Sequence, residues 1–506
     1  MNAAAGSIHT ELDVRQLLGG HPALPAVSVR HITDDSRQVA EGSLFIAVQG
    51  QRGHGLDFAD AAIHAGAAAV AWDSSTGDAS LAHGAVPFLA VDGLAGQLGA
   101  IANRWFGSPS EALDVYAVTG TNGKTTVAYL IAQCLQHMGL RCGYLGTLGY
   151  GVDDINDRFG LTTPPCIALH GALADMRSGG ATHVAMEASS HALSQNRLDG
   201  VRLKAALFTN LSRDHVDYHG DMAAYAESKA QLFKQFDVDH QIVCVDSEFG
   251  RQLAAECGGD VITTSALSAR SARGHRNVIV RSAVASGAGS RVRVTTSWGE
   301  GDVSIPLAGE FNISNAIIVF ALLLANGVSF DEAREALAHV SAPPGRMQAV
   351  LNGDDQTLPQ VYVDYAHTPT ALEVALQALR AHTAGRLWCV FGCGGNRDVG
   401  KRPLMGATVN RLADFAIVTN DNPRGESPQQ IIQEVLAAMD TSAVAIEDRG
   451  SAIAYAIANA REGDTVLIAG KGHENYQIIG DERRDFSDYE TARATLRSLA
   501  ANGVQA

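Results

Sequence analysis

Residues 114–139 read DVYAVTGTNGKTTVAYLIAQCLQHMG. The run DVYAV, Asp114 to Val118, predicts a buried strand, and VAYLIAQCLQHMG, Val127 to Gly139, predicts a helix. Between them lies a glycine-punctuated loop of Gly120, Thr121, Asn122, Gly123, Lys124, Thr125 and Thr126. A loop joining a strand to a helix N-terminus points several backbone N–H groups and the positive end of the helix dipole at one spot. Lys124 adds a point charge for β/γ-phosphates, and Thr125 a hydroxyl for a metal ion. The loop therefore predicts a triphosphate cradle. The general pattern wants a glycine where this chain has Val118, and Gly120 sits inside the loop instead. This is a shortened GxxGKTT form.

Working outward, 506 residues are too many for one core and predict several domains. Three segments separate, at 1–108, 109–342 and 343–506. In the first, strand-like SLFIAV, AAAVAW and PFLAV alternate with helical FADAAIHAGA and LAGQLGAIANRWF, and GSPS at 107–110 reads as a linker. In the second, CGYLGT, THVAME, AALFTNL and QIVCVD recur as strands between helical patterns, which predicts a parallel sheet covered by helices. A polar stretch from about 270 to 306 interrupts that rhythm and predicts a few antiparallel strands. SAPPGRMQ, 341–348, breaks the chain before the third segment. There VYVDYA, RLWCVFG, FAIVTND and TVLIAG alternate with helices such as TALEVALQALRAHT, and Ser427-Pro428 marks a helix start. The fold class is α/β in three domains: a small N-terminal domain, a central phosphate-loop sheet and a C-terminal Rossmann-like domain.

Composition narrows the function. Hydrophobic content of 46% with 18% charged residues is that of an ordinary globular protein. A net charge of −16 with no basic stretch argues against nucleic acid or an anionic membrane as partner. An anionic substrate then needs local cations. The seven cysteines are scattered with no CxxC pair, which suggests neither zinc nor a disulfide framework and fits free thiols in a reducing compartment. The opening MNAAAGSIHTELDVRQLL lacks an apolar h-region, so no signal peptide is expected there. No run approaches the roughly 18 apolar residues of a membrane span. A cytoplasmic protein is expected.

Five further clusters carry candidate chemistry. MEASSHALSQNR, 186–197, puts Glu187 at a strand end, where a carboxylate suits Mg²⁺ or is a plain exposed acid. TNLSRDHVDYHG, 209–220, offers His215 as a metal ligand or a structural histidine. Tyr225 and Lys229 share a helix face. Lys229 is either a second cation near the γ-phosphate or a solvated charge. FGCGGNRDVGKRP (391–403), TNDNPRGES (419–427) and AGKGHENY (469–476) each follow a strand of the third segment. Three polar loops on one carboxyl edge, mixing arginines with acids, fit a zwitterion.

Taken in order, GTNGKTT, TTP (162–164), EASSH, TNLSRDHVDYHG with Lys229, GEFNISN (309–315), DYAHTP (364–369), GCGGNRD, DNPR and GKGHE resemble the Mur ligases. These are the ATP-dependent amide-forming enzymes of peptidoglycan synthesis, and the resemblance spans essentially the whole chain. It implies ATP and Mg²⁺, and a UDP-binding N-terminal domain in which Ser36 of DDSR contacts the nucleotide. It implies that Thr162, Thr163, Ser189, Gln195 and Arg197 hold a UDP-muramoyl-dipeptide. Thr125, Glu187, His215 and a carbamylated Lys229 would serve the metal, which reverses the unaided reading of Lys229 as a cation. Asn312 and Asn315 would approach the adenine, and Arg346 and Asp364 the ribose side of ATP. Arg397, Asp421, Asn422, Pro423, Arg424, Gly470 and Glu474 would form the amino-acid pocket. DNPR implies meso-2,6-diaminopimelate, since lysine-adding relatives lack Arg424. The implied chemistry is an acyl phosphate captured by an amine, in a monomer. Lysine-adding and folylpolyglutamate-type ligases, and a P-loop ATPase that uses hydrolysis for motion, remain as alternatives.

Overall fold

The computed structural model describes residues 11–20, 24–50, 53–156, 159–267, 276–286, 289–350, 358–440 and 442–503. The first ten residues, on which part of the leader expectation fell, lie outside them, as do 270–275 and 287–288 of the polar stretch. The described chain divides into two compact units, the first ending at Thr263 and the second beginning at Thr264, with Arg276 belonging to the first.

The first unit holds a short antiparallel pair, Leu12–Asp13 with Ser28–Val29, and two larger sheets. His31–Thr33, Ser43–Ala47, Ala67–Asp73 and Phe88–Val91 lie side by side in chain order, all parallel. Every residue of Ser43–Ala47 is buried, as a parallel strand covered on both faces requires. Leu44, Ile46, Ala69, Ala71 and Leu89 pack with Ile101 and Trp105 of the helix Leu98–Phe106. That helix ends at Gly107, whose φ of 67° is the left-handed cap glycine takes without strain. The expected linker at 107–110 is a packed turn: Pro109 and Ser110 are buried, and the Ser110 hydroxyl accepts from the Arg202 N–H at 3.0 Å.

The second sheet runs in the order His240–Cys244, Ala205–Phe208, Asp114–Thr119, His183–Glu187 and Cys142–Gly146, all parallel, with Gly149–Gly151 antiparallel beside the last. Asp114–Thr119 comes first in the chain yet lies between two later strands. The strand order reverses around it, and a ligand crevice belongs at its carboxyl end.

In the second unit, apart from Arg276, the strands Arg276–Ser286, Gly289–Thr296 and Gly299–Ile305 pair antiparallel, as the polar stretch predicts. The helices Glu310–Ala325 and Phe330–Ala338 come next, the latter opened by a Ser329–Glu332 capping box. A parallel sheet then takes the order Gln360–Asp364, Thr465–Ala469, Leu387–Phe391, Phe415–Val418 and Val444–Ala445, with Gln348–Ala349 antiparallel at its edge. Alternate residues face opposite sides. Cys389 and Phe391 pack with the helices Pro369–Arg380, Lys401–Leu412 and Pro428–Leu436, and Trp388 and Val390 with Arg449–Asn459 and Asp488–Gly503. Ser427 caps its helix by accepting from the Gln430 N–H. The last strand inserts between the first and second, so this sheet too has a switch point.

Candidate active site

The phosphate loop is built as its sequence predicts: strand Asp114–Thr119, loop, then helix Lys124–His137. Gly123 caps the helix at φ 85° and Gly120 stands at φ 145°. A Cβ on Gly120 would strike the Thr209 hydroxyl and come within 3.1 Å of the Asn210 backbone, so only glycine fits. The loop is braced by the neighbouring strand end: the Thr121 N–H donates to the Asn210 carbonyl at 2.8 Å and the Asn122 N–H to the Asn210 side chain at 3.1 Å. Lys124 folds back, its Nζ donating to the Gly120 and Thr121 carbonyls, both at 2.9 Å.

Lys229 is not a solvated lysine. It lies on the helix Met222–Lys234, only 1% exposed, with Nζ 4.3 Å from the Tyr225 ring centroid and donating to the Gly120 carbonyl at 2.9 Å. Burial, with the Lys124 charge adding to it and Asp214 opposing, holds its pKa down to about 6. Tyr225 also meets Thr121, hydroxyl to hydroxyl, at 3.1 Å.

Glu187, 1% exposed at the end of its strand, is no exposed acid either. Its Oε1 accepts from the Tyr144 hydroxyl at 2.7 Å and the Thr147 N–H at 2.8 Å. The dipeptide-site candidates gather around it. Thr162 meets the Thr147 hydroxyl at 3.1 Å, and Thr163 donates to the Glu187 carbonyl at 2.7 Å while accepting from the Ser189 N–H. Arg197 donates to the Thr163 carbonyl at 2.6 Å and, through Nε and Nη2, to Gln195 Oε1. Ser36 opens a short 3-10 turn capped by Asp35. Tyr144, Thr147 and Tyr218, whose hydroxyl accepts from Gln195 at 2.8 Å, carry no signal in the sequence, because the pairings join positions 23 to 43 residues apart.

His215 sits in left-handed backbone, φ 50°, with half-exposed imidazole beside His191 at 4.9 Å between ring centroids. Burial and the facing His215 and His219 push His191 down to about 4. Among the described residues no three His, Cys, Asp or Glu side chains converge on a cation. The Thr125 hydroxyl and the Glu187 carboxylate are oxygen donors of the kind Mg²⁺ takes, with waters and substrate phosphates completing its shell.

In the second unit the ATP candidates form two groups. Asn312 and Asn315 are buried on the helix Glu310–Ala325: Asn315 donates to Asn312 Oδ1 at 3.1 Å, and Asn312 to the Ala308 carbonyl at 2.8 Å. Asp364 accepts from the Met347 and Ala366 N–H groups at 2.7 and 2.8 Å. Burial raises its pKa, against the attraction of Arg346. The Arg346 guanidinium lies over the Tyr365 ring at 4.7 Å, and its buried Nε has no hydrogen-bond partner among the described residues.

The three polar loops of the C-terminal sheet do converge. Arg424 donates from Nη1 to the Gly395 carbonyl at 2.9 Å, with its own backbone at φ 51°. Asn422 donates to Glu474 Oε2 at 2.9 Å, joining DNPR to GKGHE. A Cβ on Gly470, at φ 122°, would stand 2.6 Å from Asp421 Oδ2. Arg397 is exposed. Beneath them lies a pair no motif announces: Arg449 and Asp488, both fully buried side chains, joined by two bonds of 2.7 Å. Arg449 also donates to the Asn420 and Ala469 carbonyls and so ties two of the loops down.

A phosphate-loop sheet joined to a second doubly wound sheet with a charged carboxyl edge defines a multidomain nucleotide-dependent enzyme. The chain belongs to the Mur ligase family. Family models described as the Mur ligase family catalytic domain, the Mur ligase middle domain and the Mur ligase glutamate ligase domain match residues 28–106, 118–323 and 345–472. Members are ATP-dependent ligases that form amide bonds, with a three-domain α/β fold, which replaces the alternative of a motion-driving ATPase. Among its relatives, the UDP-N-acetylmuramoyl-L-alanyl-D-glutamate--2,6-diaminopimelate ligase of Pseudomonas aeruginosa is 46% identical over 94% of this chain and 95% of its own. The enzyme of the same name from Coxiella burnetii is 45% identical over 93% and 96%. A solved structure of a ligase of that name, 33% identical, superposes with a TM-score of 0.70 over 97% of this chain and 99% of the other.

Proposed function

We propose that this chain joins meso-2,6-diaminopimelate to UDP-N-acetylmuramoyl-L-alanyl-D-glutamate, using ATP, in peptidoglycan precursor synthesis. The names of its relatives support that reading. The observation that carries the choice of amino acid is Arg424, held at the pocket edge by the Gly395 carbonyl beside the Asn422–Glu474 contact. A guanidinium forks a carboxylate, while carboxylates and an amide take an ammonium. In this reading Arg397 and Arg424 receive a carboxylate, Asp421, Asn422 and Glu474 an ammonium, and Pro423 and Gly470 shape the floor.

The segments 1–108, 109–342 and 343–506 divide the work among the UDP group, ATP and the amino acid. Ser36 contacts the uridine nucleotide. Thr162, Thr163, Ser189, Gln195 and Arg197 hold the dipeptide with its D-glutamyl carboxylate toward ATP. The loop N–H groups of Gly120 to Thr126 and the Lys124 ammonium bind the β/γ-phosphates, and Asn312, Asn315, Arg346 and Asp364 the nucleoside. A carboxylate oxygen attacks the γ-phosphorus, ADP leaves, and an acyl phosphate remains. The diaminopimelate amine then attacks the acyl carbon, and phosphate departs from the tetrahedral intermediate. Lys124 stabilises the charge that accumulates on the transferring oxygens. Thr125, Glu187, His215 and Lys229 as its carbamate would hold Mg²⁺, which supplies further charge neutralisation there when bound. The depressed pKa of Lys229 leaves an unprotonated amine able to add CO₂ near neutral pH.

No described helix is long and apolar enough to cross a membrane, and no disulfide joins any of the seven cysteines, all of which lie among the described residues. A monomer in the cytoplasm completes the reading. The test is ADP release with the UDP-muramoyl-dipeptide, comparing diaminopimelate with lysine. Release should need all three substrates and favour diaminopimelate; equal rates with lysine would transfer the chain to the lysine-adding class.

A further inference from the structure

GKGHE contains a lysine to which the amide-forming chemistry assigns nothing. Lys471 is completely buried, yet it ends in an ammonium group. Its Nζ donates to Glu474 Oε2 at 3.0 Å and to Asn422 Oδ1 at 3.2 Å, and lies 5.5 Å from the Tyr476 ring centroid. Burying an ammonium is costly unless it is paired, and packing alone would be served as well by an unbranched apolar side chain. The partners are the two residues that reach the amino-acid pocket from different loops.

The bonding pattern is saturated on one side. Glu474 Oε2 accepts from both Lys471 and Asn422, and Asn422 Oδ1 accepts from both Lys471 and the Ile478 N–H at 3.0 Å. Each acceptor is held by two donors, which fixes the rotamers of both side chains. Glu474 Oε1 has no such donor among the described residues. The opposite edge is tied by Gln477, which donates to the Asp421 carbonyl at 2.7 Å.

We infer that Lys471 is a positioning residue for amine recognition: it locks Glu474 and Asn422 in register so that the remaining Glu474 oxygen is presented to the ammonium of the incoming amino acid. This rests on the amino-acid pocket proposed for the three loops. Lys471 touches no reacting atom, so its loss acts through Glu474, on amino-acid affinity rather than on ATP.

A double-mutant cycle on the full-length enzyme decides it. Lys471→Met, Glu474→Gln and the double variant are assayed by ADP release against diaminopimelate, with ATP and the UDP-muramoyl-dipeptide saturating. Lys471→Met should raise KM for diaminopimelate roughly 10-fold or more, with KM for ATP unchanged. The double variant should be little worse than Glu474→Gln, because the two act as one unit. Should Lys471→Met fail to fold, Lys471→Leu, which likewise removes every donor, takes its place with the same expectation. A KM for diaminopimelate within twofold of the parent, or losses that multiply in the double variant, overturns the proposal. If the parent enzyme prefers lysine, the substrate reading fails by itself, and the same cycle run with lysine still decides the role of Lys471.

Discussion

The Lys229 side chain donates to the Gly120 carbonyl at 2.9 Å, so a residue 109 positions downstream closes the floor of the phosphate loop. An ammonium there would face Lys124, which already donates to that carbonyl. Burial and this repulsion favour the neutral amine, and with a pKa of about 6 that form predominates above pH 6.

Carbamylation of that amine, as proposed above, would put an anion where the sequence alone suggests a second cation. Lys229→Met is expected to lower the ligase rate roughly 100-fold or more. Lys229→Arg should be no better, since a guanidinium stays charged and adds no CO₂. Labelled bicarbonate should give a carbamate carbon signal in the parent enzyme that both variants lack. A Met variant of unchanged rate would remove Lys229 from the machinery.

Arg424 makes its own test. Arg424→Ala should raise KM for diaminopimelate roughly 10- to 100-fold, the worth of a lost charged hydrogen bond. Nucleotide binding should be unaltered, because the Arg424 guanidinium donates, among the described residues, only to the Gly395 and Asn422 carbonyls beside the pocket. Isothermal titration with an ATP analogue and steady-state kinetics separate the two effects. Unchanged diaminopimelate kinetics would leave the substrate assignment without its main support.

Lys229 and Arg424 differ in how far local sequence could take them. The loop at Gly120 to Thr126 and the three carboxyl-edge loops are legible because strand, turn and helix signals are short-range and adjoin the polar residues they position. Glu187 and Lys229 both looked as though solvent could claim them. Their burial comes from Tyr144 and from Gly120, partners that only the strand order brings near. Periodicity places a side chain on a face. It does not say what covers that face.

Arg449 lies further beyond reach, since no motif surrounds it and its partner is 39 residues away. Removing one member of a buried pair leaves an uncompensated charge, so Arg449→Leu should lose about 3–5 kcal/mol of stability. The double variant Arg449→Leu, Asp488→Leu should lose less than Arg449→Leu alone. Urea unfolding midpoints measure both. A single variant within about 1 kcal/mol of the parent would show that the pair contributes little.

His170 sets a pH dependence of stability unconnected with catalysis. Its side chain is fully buried; Nε2 lies 2.8 Å from the Asp199 carbonyl and Nδ1 has no hydrogen-bond partner among the described residues. Burial lowers its pKa, with the Asp199 carbonyl opposing. An unfolded histidine takes its proton near pH ~6.5, and the folded one only at lower pH. In that interval the unfolded chain binds more protons, so stability rises with pH and falls as the pH drops below about 6.5. His170→Gln keeps an amide donor for the Asp199 carbonyl but has nothing to titrate. The melting temperature of the parent should therefore fall more than that of the variant between about pH 7.5 and about pH 5.5. Every other titrating group, the Asp199 carboxylate included, is common to both proteins and cancels in the difference. Parallel curves would mean that His170 takes up its proton as readily folded as unfolded.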